Sequence, residues 1–137
     1  MHRGILLLPR CLAAIALLAG GIGSAWAHAA LIKSSPGNRE VLTTSPTRIH
    51  LQFNEKVEAR FSTVSIEDAK GQKPALAVPT ASPDDAHTLD VAVPAVLPDG
   101  RYTVKYRVLS QDGHVIERSF AFTLKTATSE PAAPTTP

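Results

Sequence analysis

Tyr102-Thr103-Val104-Lys105-Tyr106-Arg107-Val108 alternates large apolar and polar side chains. A period of two belongs to a strand with one buried and one wet face, here with Tyr102, Val104, Tyr106 and Val108 turned inward. The same pattern recurs on both sides of this stretch. Arg48-Ile49-His50-Leu51-Gln52-Phe53 puts Ile49, Leu51 and Phe53 on one face, and His87 to Val93 alternates through Leu89, Val91 and Val93. Ser119 to Leu124 carries Phe120, Phe122 and Leu124, and Phe61 to Ile66 is rich in β-branched residues. An opening strand over Ala29 to Lys33 and a short one over Ala75 to Val78 bring the expected total to about seven.

Turn chemistry separates these runs: Ser35-Pro36-Gly37-Asn38, Ser45-Pro46, Ala69-Lys70-Gly71, Ser82-Pro83-Asp84-Asp85, Pro98-Asp99-Gly100 and Asp112-Gly113. No helical periodicity of useful length intervenes. Short strands at this spacing predict an all-β fold, a single Greek-key, Ig-like β-sandwich or barrel. Leu97-x-Asp99-Gly100-x-Tyr102 also has the form of a tyrosine corner, in which a tyrosine at a strand start bonds back to the preceding arch.

The first residues read differently. Met1 to Arg10 carries Arg3 and Arg10 and no acid, Cys11 to Gly23 is apolar, and Ala25-Trp26-Ala27 has the small-x-small form of a cleavage site. Residues 1–27 are therefore expected to be a cleaved secretory signal peptide, too short in its apolar run to remain as an anchor. There is no twin arginine, and Cys11 follows Arg10 rather than the small residue of a lipoprotein signal. The mature domain is expected over residues 28–125. Residues 126–137, TATSEPAAPTTP, are small, polar and proline-rich, and are expected to form a flexible tail.

Cleavage alters the chemistry available. The full chain has 14 basic and 12 acidic residues, and two of the bases lie in the signal. The mature protein thus carries no charge excess to attract nucleic acid or an anionic membrane. Met1, Cys11 and Trp26, the only residues of their kinds, leave as well. No thiolate or thioether remains to hold a soft metal, and no disulfide supports the core.

Cleavage after Ala27 makes His28 the first residue. Its free α-amine and imidazole Nδ1 can grip one metal ion in a single chelate ring, and such nitrogen donors suit tetragonal Cu(II). Alternatively, some residue must come first and a histidine there is chance. Ser110-Gln111-Asp112-Gly113-His114 offers a carboxylate and an imidazole two residues apart, projecting to the same side of an extended chain. Asp-Gly is also an ordinary hairpin turn. Asn54-Glu55-Lys56-Val57-Glu58 reads as a charged loop in which Glu55 can supply one more oxygen. His50 is expected to face solvent. His87, after Asp84 and Asp85, is expected in a solvated turn. There is no nucleophile elbow, phosphate-cradling glycine loop or basic-aromatic stripe.

Taken together and in order, these segments resemble a known family. They are His28-Ala29-Ala30-Leu31, Ser34-Ser35-Pro36-Gly37, Leu51-Gln52-Phe53-Asn54-Glu55-Lys56-Val57-Glu58, Leu97-Pro98-Asp99-Gly100-Arg101-Tyr102-Thr103-Val104, Val108-Leu109-Ser110-Gln111-Asp112-Gly113-His114 and Phe120-Ala121-Phe122. The chain is similar to the CopC (PcoC) family of periplasmic copper-resistance proteins over nearly all of residues 28–125. The resemblance implies a seven-stranded Ig-like domain and one Cu(II) per chain, held by His28, Asp112 and His114. It implies Glu55 as a further ligand or a hydrogen-bond partner of one. It also implies a periplasmic copper carrier or buffer, not an enzyme, working beside a CopD-type inner-membrane protein. Some members add a methionine-rich loop for Cu(I). The mature chain has no methionine, so Cu(II) alone is expected.

Two other readings stay open on the sequence. An N-terminal histidine chelate is also the core of copper-dependent polysaccharide monooxygenases. Against this, several of the few aromatics fall on core positions, and an anionic Asp112 disfavours reduction of the metal. The other reading is a metal-free exported Ig-like module. A monomer is expected, with a metal-bridged symmetric dimer left open.

Overall fold

The computed structural model describes residues 29–127. The expected signal peptide, His28 and most of the C-terminal tail lie outside the described residues. Eight strands form two four-stranded sheets. They are β1 (Leu31–Ser35), β2 (Val41–Leu42), β3 (Arg48–Phe53), β4 (Thr63–Asp68), β5 (Thr80–Ser82), β6 (Asp85–Ala92), β7 (Gly100–Leu109) and β8 (Val115–Leu124). One sheet has the order β1-β3-β6-β5 and the other β2-β8-β7-β4. The chain crosses between sheets after β1, β2, β3, β4 and β6, which makes the domain an Ig-like, Greek-key sandwich. Among the described residues, the sole helical element is the 3-10 turn Ala59–Phe61.

The alternation expected of the sequence is what packs the sandwich. Ile49, Leu51 and Phe53 from β3 meet Leu89 and Val91 from β6, and across the core lie Tyr102, Val104, Tyr106 and Val108 of β7 with Phe122 and Leu124 of β8. Tyr102 stacks on Phe122 at 5.4 Å between ring centroids, and Phe53 meets the ring of Tyr106 edge-on at 5.8 Å. Each large apolar side chain buried in this way contributes roughly 1.5–3 kcal/mol. The tyrosine corner is present, with the Tyr102 hydroxyl donating to the Pro98 carbonyl at 2.6 Å.

Differences from the expected strands have local causes. Ala75 to Val78 forms no strand, since Pro74 and Pro79 flank it and neither has an N–H to give a ladder. Thr80–Ser82 forms the short edge strand β5 instead. β2, two residues long and parallel to β8, is too short to show a period. Phe61 lies in the 3-10 turn, and β4 begins after it. β8 starts at Val115 rather than Ser119, because Arg118 stands opposite Tyr106 on an otherwise apolar face and masks the alternation.

The connections gather particular segments at one end of the sandwich. Leu31 pairs with Phe53, so the start of β1 lies beside the end of β3. Val57 bridges to Ser110 and donates its N–H to the Ala86 carbonyl, tying the loop after β3 to the start of β6 and to the β7–β8 connection. At the other end of the domain, Thr126 bonds Asp99 through both its N–H and its hydroxyl.

Candidate metal centre

The β7–β8 connection, Ser110 to His114, is a tight turn rather than extended chain. The Ser110 N–H donates to the His114 carbonyl, and the Gly113 N–H donates to the Ser110 carbonyl, both at 2.9 Å. Gly113 has φ of +87°, a conformation that costs glycine little and a side-chain-bearing residue considerably more. The turn, not strand pleating, turns Asp112 and His114 toward one another. Asp112 Oδ2 lies 3.0 Å from His114 Nδ1, with the two side chains 37% and 52% exposed.

Ser110 organises this pair. It is 1% exposed, and its hydroxyl donates to Asp112 Oδ1, with the His114 carbonyl also in reach at 3.1 Å. The His114 N–H lies 3.2 Å from the same Oδ1. These bonds hold the Asp112 carboxyl down at about 2, with the Ser110 hydroxyl the largest cause and partial burial opposing it. The carboxylate is thus ionised throughout the physiological range, with Oδ1 occupied and Oδ2 turned to the imidazole. Donors bonded to a metal at about 2 Å and at right angles to each other sit roughly 2.8 Å apart. The Oδ2–Nδ1 separation is of that order, which brings both donors within reach of a single ion.

The loop after β3 joins this turn to the start of the chain. The Asn54 N–H donates to the Ala30 carbonyl at 3.0 Å, and the Ala30 N–H donates to Asn54 Oδ1 at 2.7 Å. Two residues on, the Lys56 carbonyl accepts the Gln111 N–H at 3.0 Å. Glu55 stands between these two attachments. Its Oε1 is buried, with no hydrogen-bond partner among the described residues, an arrangement that is costly for an acceptor left without a donor. Ala29, the residue after His28, is 2% exposed.

His28 itself lies outside the described residues. Among the described residues, no three or more His, Cys, Asp or Glu side chains come together closely enough to hold a metal ion. His50 sits on the outer face of its sheet, its Nδ1 2.7 Å from Asp90 Oδ1 and its side chain 30% exposed. His87 is half-buried within β6 rather than in a turn. Its backbone N–H bonds Asp85, whose carboxylate is also engaged by Thr88 and Gln52. The sequence reading did not single out Ser110 or Asn54. A serine two residues before an aspartate is the one local signal that pointed to the first.

Comparison with known proteins identifies the family of the domain as a whole. The CopC domain family matches residues 31–125. The chain belongs to the CopC family. It is 31% identical over 121 residues to copper resistance protein C of Escherichia coli, covering 80% of this chain and 95% of that one. It is 33% identical over 102 residues to protein YobA of Escherichia coli K12, covering 74% of this chain and 82% of that one. Copper transport protein CutJ of Bacillus subtilis is 28% identical over 101 residues, 74% of this chain. The chain spans only 19% of CutJ's length, so that protein carries a large further region. Among solved structures, CopC from Methylosinus trichosporium superposes with a TM-score of 0.69 at 32% identity, covering 74% of this chain and 97% of that one. PcoC, a methionine-rich copper-resistance protein from Escherichia coli, gives a TM-score of 0.64 at 27% identity, covering 72% and 100%. Membership in CopC places the chain among copper-resistance proteins rather than enzymes.

Proposed function

We propose that this CopC-family chain is a periplasmic Cu(II) carrier or buffer. It binds one ion through the α-amine and imidazole of His28, exposed by cleavage after Ala27, together with Asp112 and His114. The observation that carries this reading is the loop Asn54 to Lys56. One end grips Ala30 and the other grips Gln111, so the segment that follows His28 and the turn bearing Asp112 and His114 meet on either side of Glu55. The buried Oε1 of Glu55, unpartnered among the described residues, supports the same reading, as an acceptor suited to an N–H of a metal-bound histidine or to the ion itself.

The donor set favours Cu(II). An amine and two imidazoles with one carboxylate suit a tetragonal ion, whereas Cu(I) prefers sulfur, and residues 28–137 contain neither cysteine nor methionine. PcoC is described as methionine-rich, and this chain departs from it in that respect. Handover to a Cu(I) pool then requires a partner that changes the oxidation state. A CopD-type inner-membrane protein is the partner we propose, with the carrier monomeric.

The test is a Cu(II) titration of two forms, one starting at His28 and one with a single glycine ahead of it, followed by electron paramagnetic resonance. Tight one-to-one binding with a nitrogen-rich tetragonal signal, weakened by the added glycine, is expected. Equal binding by both forms would move the site away from the N-terminus. A tight one-to-one Cu(I) complex under reducing conditions would overturn the restriction to Cu(II).

A further inference from the structure

A chain terminus makes an awkward ligand. It frays unless tied down, and ordering its backbone opposes binding. In this domain the tie comes close to the end, at Ala30, through the side chain of Asn54. Residues directly opposite in an antiparallel ladder exchange two N–H···O bonds at alternate positions. Ala30 and Asn54 follow the last registered pair, Leu31 with Phe53. The Asn54 N–H donates to the Ala30 carbonyl at 3.0 Å, but the Ala30 N–H finds the side-chain Oδ1 at 2.7 Å. The amide oxygen thus stands where a ladder would use a backbone carbonyl. The main chain of Asn54 is released to turn through Glu55 toward the β7–β8 turn, which Lys56 reaches at Gln111. Burial of the Ala29 side chain holds the next residue toward the terminus.

We infer that Asn54 is a positioning residue of the copper site. Its side chain pins Ala30 so that the His28 amine and imidazole are presented to Asp112 and His114 with little freedom left to lose. This inference rests on the proposed role of His28. Only the acceptor oxygen is used, so the inference distinguishes a substitution that removes that oxygen from one that keeps it. Asn54→Ala removes the acceptor, and Asn54→Asp keeps it. Loss of a residue that orients a ligand typically weakens metal binding about tenfold or more.

The experiment measures Cu(II) affinity by chelator competition, and the electron paramagnetic resonance spectrum, for four proteins. These are the chain starting at His28, its glycine-extended form, Asn54→Ala and Asn54→Asp. Thermal melting of each metal-free form is recorded alongside. The expected result is affinity about tenfold weaker in Asn54→Ala, with melting close to the parent, and recovery in Asn54→Asp. A parent that binds Cu(II) and loses it on glycine extension, but is indifferent to Asn54→Ala, would overturn the role of Asn54 alone. So would equal weakening by both substitutions. A parent that does not bind, or binds equally when extended, would overturn the chelate and this role together. Amide exchange in the metal-free parent provides a check that needs no substitution. Slow exchange at Ala30 is expected, and free exchange there would overturn the inference.

Discussion

Asp112 Oδ2 and His114 Nδ1 are held 3.0 Å apart across Gly113, and the Ser110 hydroxyl, bonded to the other carboxylate oxygen, keeps them so. A carboxylate with one oxygen occupied and the other directed at an imidazole is prepared for a cation before the cation arrives. Preparation of this kind lowers the reorganisation that binding requires.

Removing the Ser110 hydroxyl tests this arrangement directly. In Ser110→Ala the Asp112 carboxyl should titrate upward from about 2 toward the ordinary value, because its largest source of stabilisation is gone. The linkage sign follows from the depressed folded value. Asp112 stabilises the fold fully above its unfolded value near 3.8, and that contribution is lost as pH falls through about 2. Carbon NMR of the carboxyl across this range reads the shift, and an unchanged titration would refute the role assigned to Ser110. Cu(II) affinity should fall about tenfold or more in the same variant.

Asp112→Asn keeps the shape of the side chain and removes its charge. The stability that the ionised carboxylate contributes is lost, but the side chain is 37% exposed and an amide oxygen can still accept from Ser110, so the drop should be modest. Cu(II) affinity should drop at least about tenfold. Isothermal titration separates the two effects, and unaltered affinity would remove Asp112 from the ligand set.

Copper release on acidification should follow the nitrogen donors. Asp112 stays ionised down to about 2. Nitrogen donors bind the metal only in unprotonated form, so affinity should fall as pH drops while Asp112 is still ionised, with protons taken up as the ion is released. Competition titrations over a pH series measure this. Retention of copper down to the range in which Asp112 titrates would argue for a site without the amine.

Tyr102→Phe should separate stability from metal binding. The lost bond to the Pro98 carbonyl is worth about 1 kcal/mol, or about 4–8 °C in melting temperature for a domain of this size. Tyr102 lies at the start of β7 and the candidate metal turn follows its end, so Cu(II) affinity should not move. A parallel loss of affinity would mean that the two ends of the sandwich are coupled.

The legibility of this chain differs from one element to the next. β3, β6 and β7 were readable because each has one dry face, which imposes a period of two on its residues. β2 and β5 were not, since two or three residues carry no period and neighbouring strands define them. β8 was half readable, up to the point where Arg118 interrupts its apolar face. Among the candidate ligands, Asp112 and His114 stood out because two residues and a glycine make a local pattern. The His50 imidazole proves to be engaged by Asp90, while His87 lies within β6 with its backbone N–H on Asp85.

By itself the sequence determined which residues face inward along the long strands, and that a carboxylate and an imidazole share one short turn. Both follow from local stereochemistry, where neighbours along the chain decide the outcome. Only the tertiary structure decided that Asn54 grips Ala30, 24 residues away, that Lys56 reaches Gln111, and that Glu55 is left between them with a buried oxygen unpartnered among the described residues. The first bond continues the β1–β3 pairing within one sheet, and the second exists because the two sheets, packed through Phe53, Tyr106 and their neighbours, bring the ends of β3 and β7 to the same end of the sandwich. A bond between backbone groups far apart in sequence leaves no pattern in the residues that make it.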